Sequence, residues 1–317
     1  MSQRVILDGD YGIDDALALL YLAGTSTVEI LAVGSVHGNA GADQAADNAL
    51  RVLGLTGIPD VPVAVGARQP LAQPVRLSSL VHGEDGLGGA VLPPARGRRV
   101  VSVSAAEQMV QMARAYPGEC SILATGPFTN LALALLMEPE LPHLIERVVL
   151  MGGAVAEPGN VTPSAEANIF CDPEAAAAVL SAPWPVTMVA LDATMGTWLE
   201  VSDLDRIEST TTPAGKFVQA SLSHYLDFHR KNYGRHSCPL HDPSAAVVLT
   251  HPSTATCVNT PVKVELRGEH TRGMTVVDRR GNAGPRQPGT PEVQVVVALN
   301  REQVVNKVLD TVLGPPT

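Results

Sequence analysis

Four aspartates lie within eight positions near the start of the chain: Asp8, Asp10, Asp14 and Asp15. The apolar residues 5–7 directly precede the first of them and predict a buried strand. The Ala- and Leu-rich segment 16–21 follows and favours a helix, and Gly12 permits a tight turn between the two. A strand end, a turn and a helix start therefore direct several carboxylates towards one small volume.

Two interpretations of this acidic cluster are open. A carboxylate in the first turn of a helix is commonly a cap that faces solvent, which would account for Asp14. It does not account for Asp10, which ends a strand and faces two further carboxylates across the turn. Because uncompensated carboxylates repel one another, we expect a cation among them. Hard oxygen ligands select Ca²⁺ or Mg²⁺ over softer metals.

Strands and helices alternate along the first two thirds of the chain. We predict further strands at Val28–Val36, Val61–Val65, Cys120–Ala124, Arg147–Met151 and Val186–Leu191. We predict helices at Ala40–Leu53, Ala105–Tyr116, Leu131–Met137 and Pro173–Leu180, and a loop at Ala67–Arg99. This alternation is typical of an α/β fold with a mostly parallel, Rossmann-like central sheet flanked by helices, whose sites lie at the carboxyl ends of the strands.

The pattern changes after Asp192. We predict a long helix at Ala214–Tyr233, a helical stretch at Ala245–Leu249, and a closing helix at Arg301–Leu313. Between the last two, three extra strands look antiparallel: Val262–Leu266, Met274–Asp278 and Val293–Leu299. Gly281–Pro291 is predicted to be a connecting loop and Gly314–Thr317 a frayed tail. Because no linker is recognisable, we expect residues 1–317 to form a single domain.

Composition excludes several classes of function. The 317 residues are 45% hydrophobic and 17% charged, which suits a packed core and not a disordered chain. The formal charge of −10 argues against nucleic acid or an anionic membrane as a partner, and no apolar run is long enough to span a bilayer. The four cysteines are far apart, and no signal segment opens the chain. We therefore expect reduced thiols and a cytoplasmic protein.

Polar motifs follow several of the predicted strands. They are Gly38-Asn39, Thr125-Gly-Pro-Phe-Thr-Asn130 and Met151-Gly-Gly153, the last leading to Asn160, Glu166 and Asn168. Further along, His241-Asp242-Pro243 precedes an apolar helical stretch. Taken alone, Asp242 is equally a helix cap, and a lone histidine such as His241 is more often a packed or surface residue.

Together these motifs resemble the nucleoside hydrolase (inosine–uridine-preferring) family. The opening Asp8-Gly-Asp10-Tyr-Gly12-Ile-Asp14-Asp15 is similar to that family's Asp-x-Asp-Pro-Gly-x-Asp-Asp. The likeness continues through the strand-end motifs above, His82-Gly83-x-x-Gly86 and His241-Asp242-Pro243, in the family's order and over most of the chain.

The resemblance implies hydrolysis of the N-glycosidic bond of ribonucleosides with a bound Ca²⁺. Its implied metal ligands are Asp10, Asp15, the Thr125 carbonyl and Asp242. Its implied catalytic residues are Asp10, as the base that takes a proton from a Ca²⁺-bound water, and His241, as acid or hydrogen-bond donor to the leaving base. The implied substrate-binding residues are Asp14, Asn168 and Asp242 at the 2′- and 3′-hydroxyls, Asn160 and Glu166 at the 5′-hydroxyl, His82 on a mobile loop, and Asn39 and Met151. It also implies a homodimer or homotetramer.

Two positions depart from the family pattern. Tyr11 stands where the family usually has proline, and Ala167 where it often has a pocket-lining aromatic. The loss of that aromatic could weaken nucleoside binding by about 1 kcal/mol or more. Because Gly83 replaces the tryptophan of purine-specific relatives, we expect a broad or inosine/uridine-type preference. Tyr225, Phe228, His229 and Tyr233 could reach the base, or could serve only in helix packing.

Two alternative functions are open. A nucleoside-binding or sensing protein without turnover is one, supported only by Tyr11 and Ala167. The other is a metal-dependent phosphohydrolase of the haloacid-dehalogenase type, because Asp8-Gly-Asp10 matches its Asp-x-Asp. That family has Thr or Val soon after this motif, then a lysine and a late acidic pair, whereas here Tyr11 and Gly12 follow and Asp14-Asp15 come too early.

Overall fold

The computed structural model describes residues 2–95, 97–280 and 290–314. Its strands are β1 (Gln3–Gly9), β2 (Val28–Ser35), β3 (Val63–Val65), β4 (Val100–Val101), β5 (Cys120–Ala124), β6 (Ile145–Met151), β7 (Val186–Val189), β8 (Ala255–Thr260), β9 (Val262–Val264), β10 (Thr275–Val277) and β11 (Val293–Leu299). Its helices are α1 (Ile13–Gly24), α2 (Ala42–Leu53), α3 (Ser79–His82), α4 (Ala105–Ala115), α5 (Thr129–Met137), α6 (Leu141–Leu144), α7 (Ala167–Cys171), α8 (Pro173–Ser181), α9 (Leu191–Thr194), α10 (Val201–Ser209), α11 (Pro213–Tyr233), α12 (His241–Thr250) and α13 (Arg301–Leu313).

Within the described residues, nine strands form the main sheet in the order β4-β3-β2-β1-β5-β6-β7-β11-β8. All neighbours pair parallel except β11 and β8, which pair antiparallel. The chain moves outwards from β1 to β4 on one side and from β5 to β7 on the other. The strand order therefore reverses between β1 and β5, and a crevice forms at the carboxyl ends of strands at such a point. The predicted α/β fold with a mostly parallel sheet is confirmed.

The sheet is covered by helices on both faces, and β1 shows how the sequence achieves this. Val5 and Leu7 belong to one buried apolar cluster and Ile6 to another, because successive side chains of a strand point to opposite faces. Helix α1 packs against α2, α12 and α13, and also against strand β2 of the sheet. This explains why its Ala- and Leu-rich sequence is buried on nearly every face. None of the described helices is both long and apolar enough to cross a membrane.

The structure differs from the prediction in several elements. Strand β11 lies inside the main sheet, parallel to β7 and antiparallel to β8, and not in a separate antiparallel group. Strand β8 and helix α10 were not predicted, and α3 interrupts the predicted loop Ala67–Arg99. The antiparallel pairing predicted for the other two strands is confirmed for β9 with β10. Residues 281–289 of the predicted connecting loop and residues 315–317 of the predicted tail lie outside the described residues, and the single domain stays a prediction.

Candidate active site

The predicted site residues converge on a pocket at the carboxyl ends of the central strands. The pocket encloses about 650 Å³ of empty space, part of it open to solvent. Ten of the predicted residues line it: Asp14, Asn39, His82, Thr125, Met151, Asn160, Glu166, Asn168, His241 and Asp242. The remaining two, Asp10 and Asp15, hydrogen-bond to the lining residues Asn39 and Thr125.

The floor of the pocket is acidic. Carboxylate oxygens of Asp14, Asp15 and Asp242 all lie within 4.8 Å of one another. Asn39 joins Asp10 to this group, since its Nδ2 donates to Asp10 Oδ1 and to Asp15 Oδ2, each at 3.0 Å. The Thr125 hydroxyl donates to Asp15 Oδ1 at 2.7 Å. We name these four aspartates, at positions 10, 14, 15 and 242, the acidic floor.

Local backbone geometry holds the acidic floor in place. Asp15 lies in the first turn of α1 and accepts the Gly12 amide at 2.9 Å, so it caps this helix in place of Asp14. The Asn39 amide donates to Asp10 Oδ2 at 2.7 Å. The preceding Gly38 has a φ of +155°, and a Cβ there would lie 1.9 Å from Asp10 Oδ2. Only glycine allows the β2 loop to approach Asp10 this closely.

Burial makes the charged form of these carboxyl groups costly. The pKa of Asp14 rises to about 7, through burial first and the negative charge of Asp15 second. The pKa values of Asp10 and Asp242 rise well above the usual range for the same kinds of reason, burial being the largest. Burial also raises the pKa of Asp15, although hydrogen bonds from Thr125 and Gly12 oppose the rise. Deprotonated together, the four groups need a compensating positive charge.

The donor set fits a hard divalent cation. Oxygen atoms of the kind found in the acidic floor are the ligands of Ca²⁺ and Mg²⁺. The buried Asp14 Oδ1 has no hydrogen-bond partner among the described residues, so it is free to accept one from a ligand or to coordinate an ion. The nearest basic nitrogen, His82 Nδ1, lies 3.8 Å from Asp14 Oδ1. That nitrogen already accepts the Ile13 amide at 3.2 Å and so carries no proton for the carboxylate.

A second wall of the pocket carries amide and carboxylate groups. Asn168 Nδ2 donates to the Thr125 carbonyl at 2.8 Å and to the Met151 carbonyl at 3.1 Å. Glu166 caps α7: its carboxylate accepts the amides of residues 153, 168 and 169 at 2.9–3.1 Å. Asn160 Oδ1 accepts the amide of Ala167 at 2.9 Å. These bonds fix the wall, and they leave the Asn160 and Asn168 amide groups with further hydrogen-bonding capacity.

The opposite wall is histidine-rich and aromatic. His82 and His241 face side chains of α11 that also line the pocket, namely Tyr225, Phe228, His229 and Tyr233. The ring centroids of His229 and Tyr225 lie 4.4 Å apart, and those of His82 and Tyr225 lie 5.4 Å apart. Burial, the largest cause, lowers the pKa of both His82 and His241 to about 3. Both rings are therefore neutral at physiological pH, and the wall can stack against and hydrogen-bond to a planar ring.

Sequence reasoning missed two residues of α9 that support the site. The Asp192 carboxylate accepts the amides of residues 155 and 156 at 2.8 and 2.6 Å, which anchors the loop leading to Asn160. Thr194 hydrogen-bonds to Nδ1 of His241 at 2.7 Å. The available signal was position, because both residues follow β7 at the same edge of the sheet as the other site residues.

Tyr11, which departs from the family pattern, is buried in the turn between β1 and α1. It is the only non-glycine residue with positive φ in the described part of the chain, at 26°. Its hydroxyl is buried and has no hydrogen-bond partner among the described residues. The side chain belongs to the apolar cluster that includes Ile13 and Leu17, so it does not line the pocket.

The amino-acid sequence is similar to known proteins over almost its whole length. Residues 5–306 match the family model described as inosine-uridine preferring nucleoside hydrolase. Pyrimidine-specific ribonucleoside hydrolase RihA of Shewanella woodyi is 41% identical over 292 residues, covering 92% of this chain and 93% of the relative.

Two solved structures share the fold over almost the whole chain. A plant nucleoside hydrolase, PpNRh1, superposes with a TM-score of 0.92 at 31% identity, covering 99% of this chain and 100% of that one. A purine-preferring ribonucleoside hydrolase from Gardnerella vaginalis superposes with a TM-score of 0.91 at 31% identity, covering 98% of each chain. With a family match over nearly its full length and relatives near 40% identity, the chain belongs to the inosine-uridine preferring nucleoside hydrolase family and is an N-glycosidase acting on ribonucleosides.

Proposed function

We propose that the protein hydrolyses the N-glycosidic bond of ribonucleosides in a Ca²⁺-dependent reaction that releases the free base and ribose. The observation that carries this proposal is the acidic floor, whose Asp14 Oδ1 has no hydrogen-bond partner among the described residues, beneath a pocket with one wall of amide and carboxylate groups and one histidine-rich, aromatic wall. A neutral sugar needs no such concentration of buried carboxylates. A sugar that becomes positively charged in the transition state does.

The acidic floor is the proposed cation site. Asp10, Asp15, Asp242 and the Thr125 carbonyl would hold Ca²⁺, because all four offer hard oxygen atoms. The Thr125 carbonyl keeps a free lone pair beside the one that accepts Asn168. When bound, the ion supplies positive charge that offsets the repulsion among the carboxylates, orients a water and makes that water more acidic.

Different residues around the cation site transfer the proton and bind the hydroxyl groups of the substrate. Asp10, held on both oxygens by Asn39, takes the proton from the attacking water. Asp14, Asn168 and Asp242 bind the 2′- and 3′-hydroxyls, and Asn160 and Glu166 bind the 5′-hydroxyl. The buried carboxylates then stabilise the oxocarbenium-like transition state more than the neutral substrate, which is the requirement for catalysis.

The base of the nucleoside binds against the histidine-rich, aromatic wall of the pocket. His241 lies at the N-terminus of α12 and donates a hydrogen bond to the base as it leaves, while Tyr225 and its neighbours pack against the ring. The curated relative at 41% identity is named pyrimidine-specific. We therefore propose uridine and cytidine among the substrates, together with the inosine/uridine-type preference expected from the sequence. We also propose that the protein is a cytoplasmic homodimer or homotetramer. Light scattering would measure the mass of this assembly.

The decisive experiment is a reducing-sugar assay for ribose with uridine, cytidine, inosine, adenosine and guanosine. Each nucleoside is incubated with the protein in added Ca²⁺ and after prolonged chelation, and binding is measured in parallel by calorimetry. We expect ribose release that chelation abolishes and added Ca²⁺ restores. Binding without ribose release from any nucleoside would contradict the proposed reaction and support a nucleoside-sensing protein.

A further inference from the structure

His241 is held from outside the pocket by Thr194. The distance from Thr194 Oγ1 to His241 Nδ1 is 2.7 Å, and both side chains are buried. Thr194 ends α9, which follows β7, whereas His241 begins α12. Within the described residues, the Thr194 hydroxyl has no second hydrogen-bond partner. The contact is therefore a single hydrogen bond, in which either the hydroxyl or the ring nitrogen is the donor.

The direction of this hydrogen bond follows from the burial of the hydroxyl. If Nδ1 of His241 carried the ring proton, Thr194 would accept it, and the hydroxyl hydrogen would be left buried without an acceptor. Such a group costs about 1–3 kcal/mol. If Thr194 donates, its hydrogen is satisfied, Nδ1 accepts, and the proton of the neutral ring lies on Nε2.

We propose that Thr194 is a positioning residue that holds His241 in the Nε2–H tautomer, so that the nitrogen facing the pocket is a hydrogen-bond donor. The use of that donor rests on the proposed function, in which the pocket beside His241 receives the leaving base. Negative charge grows on the base as the glycosidic bond breaks, and a fixed donor stabilises that charge more in the transition state than in the substrate.

Neighbouring contacts fix the distance between Thr194 and His241. The Thr197 hydroxyl donates to the Thr194 carbonyl at 2.7 Å, and the Leu240 amide donates to the Thr197 carbonyl at 3.3 Å. The Ser244 hydroxyl, one turn into α12, lies 3.2 Å from Thr197 Oγ1. Helix α9 and the first turn of α12 are therefore joined independently of the Thr194 hydroxyl. Its removal should change the proton position on His241 without separating the two helices.

Another histidine of the pocket, His82, has the same tautomer as His241 for a different reason. His82 Nδ1 accepts the Ile13 backbone amide at 3.2 Å, and an amide N–H can only donate. The proton of neutral His82 is therefore also on Nε2. Two histidines of the histidine-rich wall therefore present N–H donors, which suits a base that offers carbonyl oxygen or ring nitrogen acceptors. Only His241 depends on a side-chain hydroxyl that a substitution can remove.

The direct test is the proton position on His241 in the full-length protein. Two-bond ¹H–¹⁵N correlation spectra of histidine-labelled protein at neutral pH distinguish the two neutral tautomers, with the His241 signals assigned through His241→Gln. We expect the Nε2–H pattern in the wild type and in Thr194→Ser, which keeps the hydroxyl. We expect Thr194→Val, which has nearly the same shape without a hydroxyl, to show the Nδ1–H form or a mixture.

Kinetics supply a second readout. We expect Thr194→Val to lower kcat for uridine roughly 10- to 100-fold, as loss of an orienting partner commonly does, with KM nearly unchanged, and Thr194→Ser to restore kcat. A proton on Nδ1 in the wild type, a charged ring, or an unchanged tautomer in Thr194→Val would overturn the proposal. The spectra need no turnover. A wild-type protein that shows the Nε2–H pattern but hydrolyses no nucleoside would refute the proposed function and leave the tautomer assignment supported.

Discussion

Removal of divalent cations should destabilise the protein most at neutral and alkaline pH. The pKa of Asp14 is raised from 3.8 to about 7 in the folded protein, so the native state keeps a proton that the unfolded state has already released. The free energy of unfolding of the cation-free protein therefore falls as the pH rises from about 4 to about 7. At about 1.4 kcal/mol for each pKa unit, a shift of this size corresponds to a loss of a few kcal/mol, shared among the interacting carboxyl groups of the acidic floor.

Bound Ca²⁺ should remove most of this loss. The ion favours the deprotonated carboxylates, and a ligand present at 100 times its Kd stabilises a protein by about 2.7 kcal/mol. The assay is urea unfolding followed by tryptophan fluorescence, between pH 5 and pH 8, with chelator or with saturating Ca²⁺. We expect the chelated protein to be clearly less stable at pH 8 than at pH 5, and the Ca²⁺-loaded protein to show a much smaller difference.

Two variants separate the acidic floor from general charge effects. Asp242→Asn removes one buried carboxylate, so the chelated variant should be more stable at pH 8 than the chelated wild type and should respond less to Ca²⁺. Asp310→Asn is the matched control, because Asp310 is half exposed and pairs with Arg206 on the surface; it should behave as the wild type. Equal unfolding free energies with and without Ca²⁺ throughout this pH range, or identical behaviour of the two variants, would refute the reasoning.

Three further predictions concern single residues. Asp10→Ala should lower turnover of uridine roughly 100-fold or more if Asp10 is the base; near-normal turnover in the ribose assay would remove it from that role. Uridine 5′-monophosphate should be a far poorer substrate than uridine, because its phosphate would meet the buried carboxylate of Glu166; comparable kcat/KM values would contradict this placement. Tyr11→Phe should leave the urea midpoint unchanged or raise it, because the hydroxyl that it deletes is buried without a hydrogen-bond partner among the described residues, and such a group destabilises the fold by about 1 kcal/mol or more. A clear loss of stability would indicate a hydrogen bond to this hydroxyl.

The central elements are predictable because their signals are local. A short apolar run such as residues 5–7 has few alternatives to a buried strand. The carboxyl ends of parallel strands share one edge, so the strand pattern alone is enough to bring together the polar residues that follow β1, β2, β5 and β6. Seven of the ten predicted residues that line the pocket lie at or after the ends of these strands, whereas His82 on α3 and His241 and Asp242 on α12 do not.

The errors arise where neighbours decide the outcome. The apolar sequence of β11 specifies a strand, but its parallel pairing with β7 depends on residues more than 100 positions earlier. Strand β8 lies at the sheet edge, buries only its last residue fully, and includes Asn259 and two threonines, so its apolar pattern is weak. Its position after β7 places Thr194 at the correct edge of the sheet, but a lone threonine there gives no indication that His241, 47 residues later, lies against it.

The position of β11 has a consequence for how the chain acquires its structure during synthesis. The ribosome makes this strand after the other ten described strands, yet it occupies an interior place in the sheet, between β7 and β8. Until residue 299 has emerged, the outer side of β7 has no neighbour, and the hydrogen-bonding groups of that strand are open to pairing with another chain. A nascent or truncated protein that stops before β11 is therefore expected to need protection from aggregation, even though every strand that carries the acidic floor has already been made.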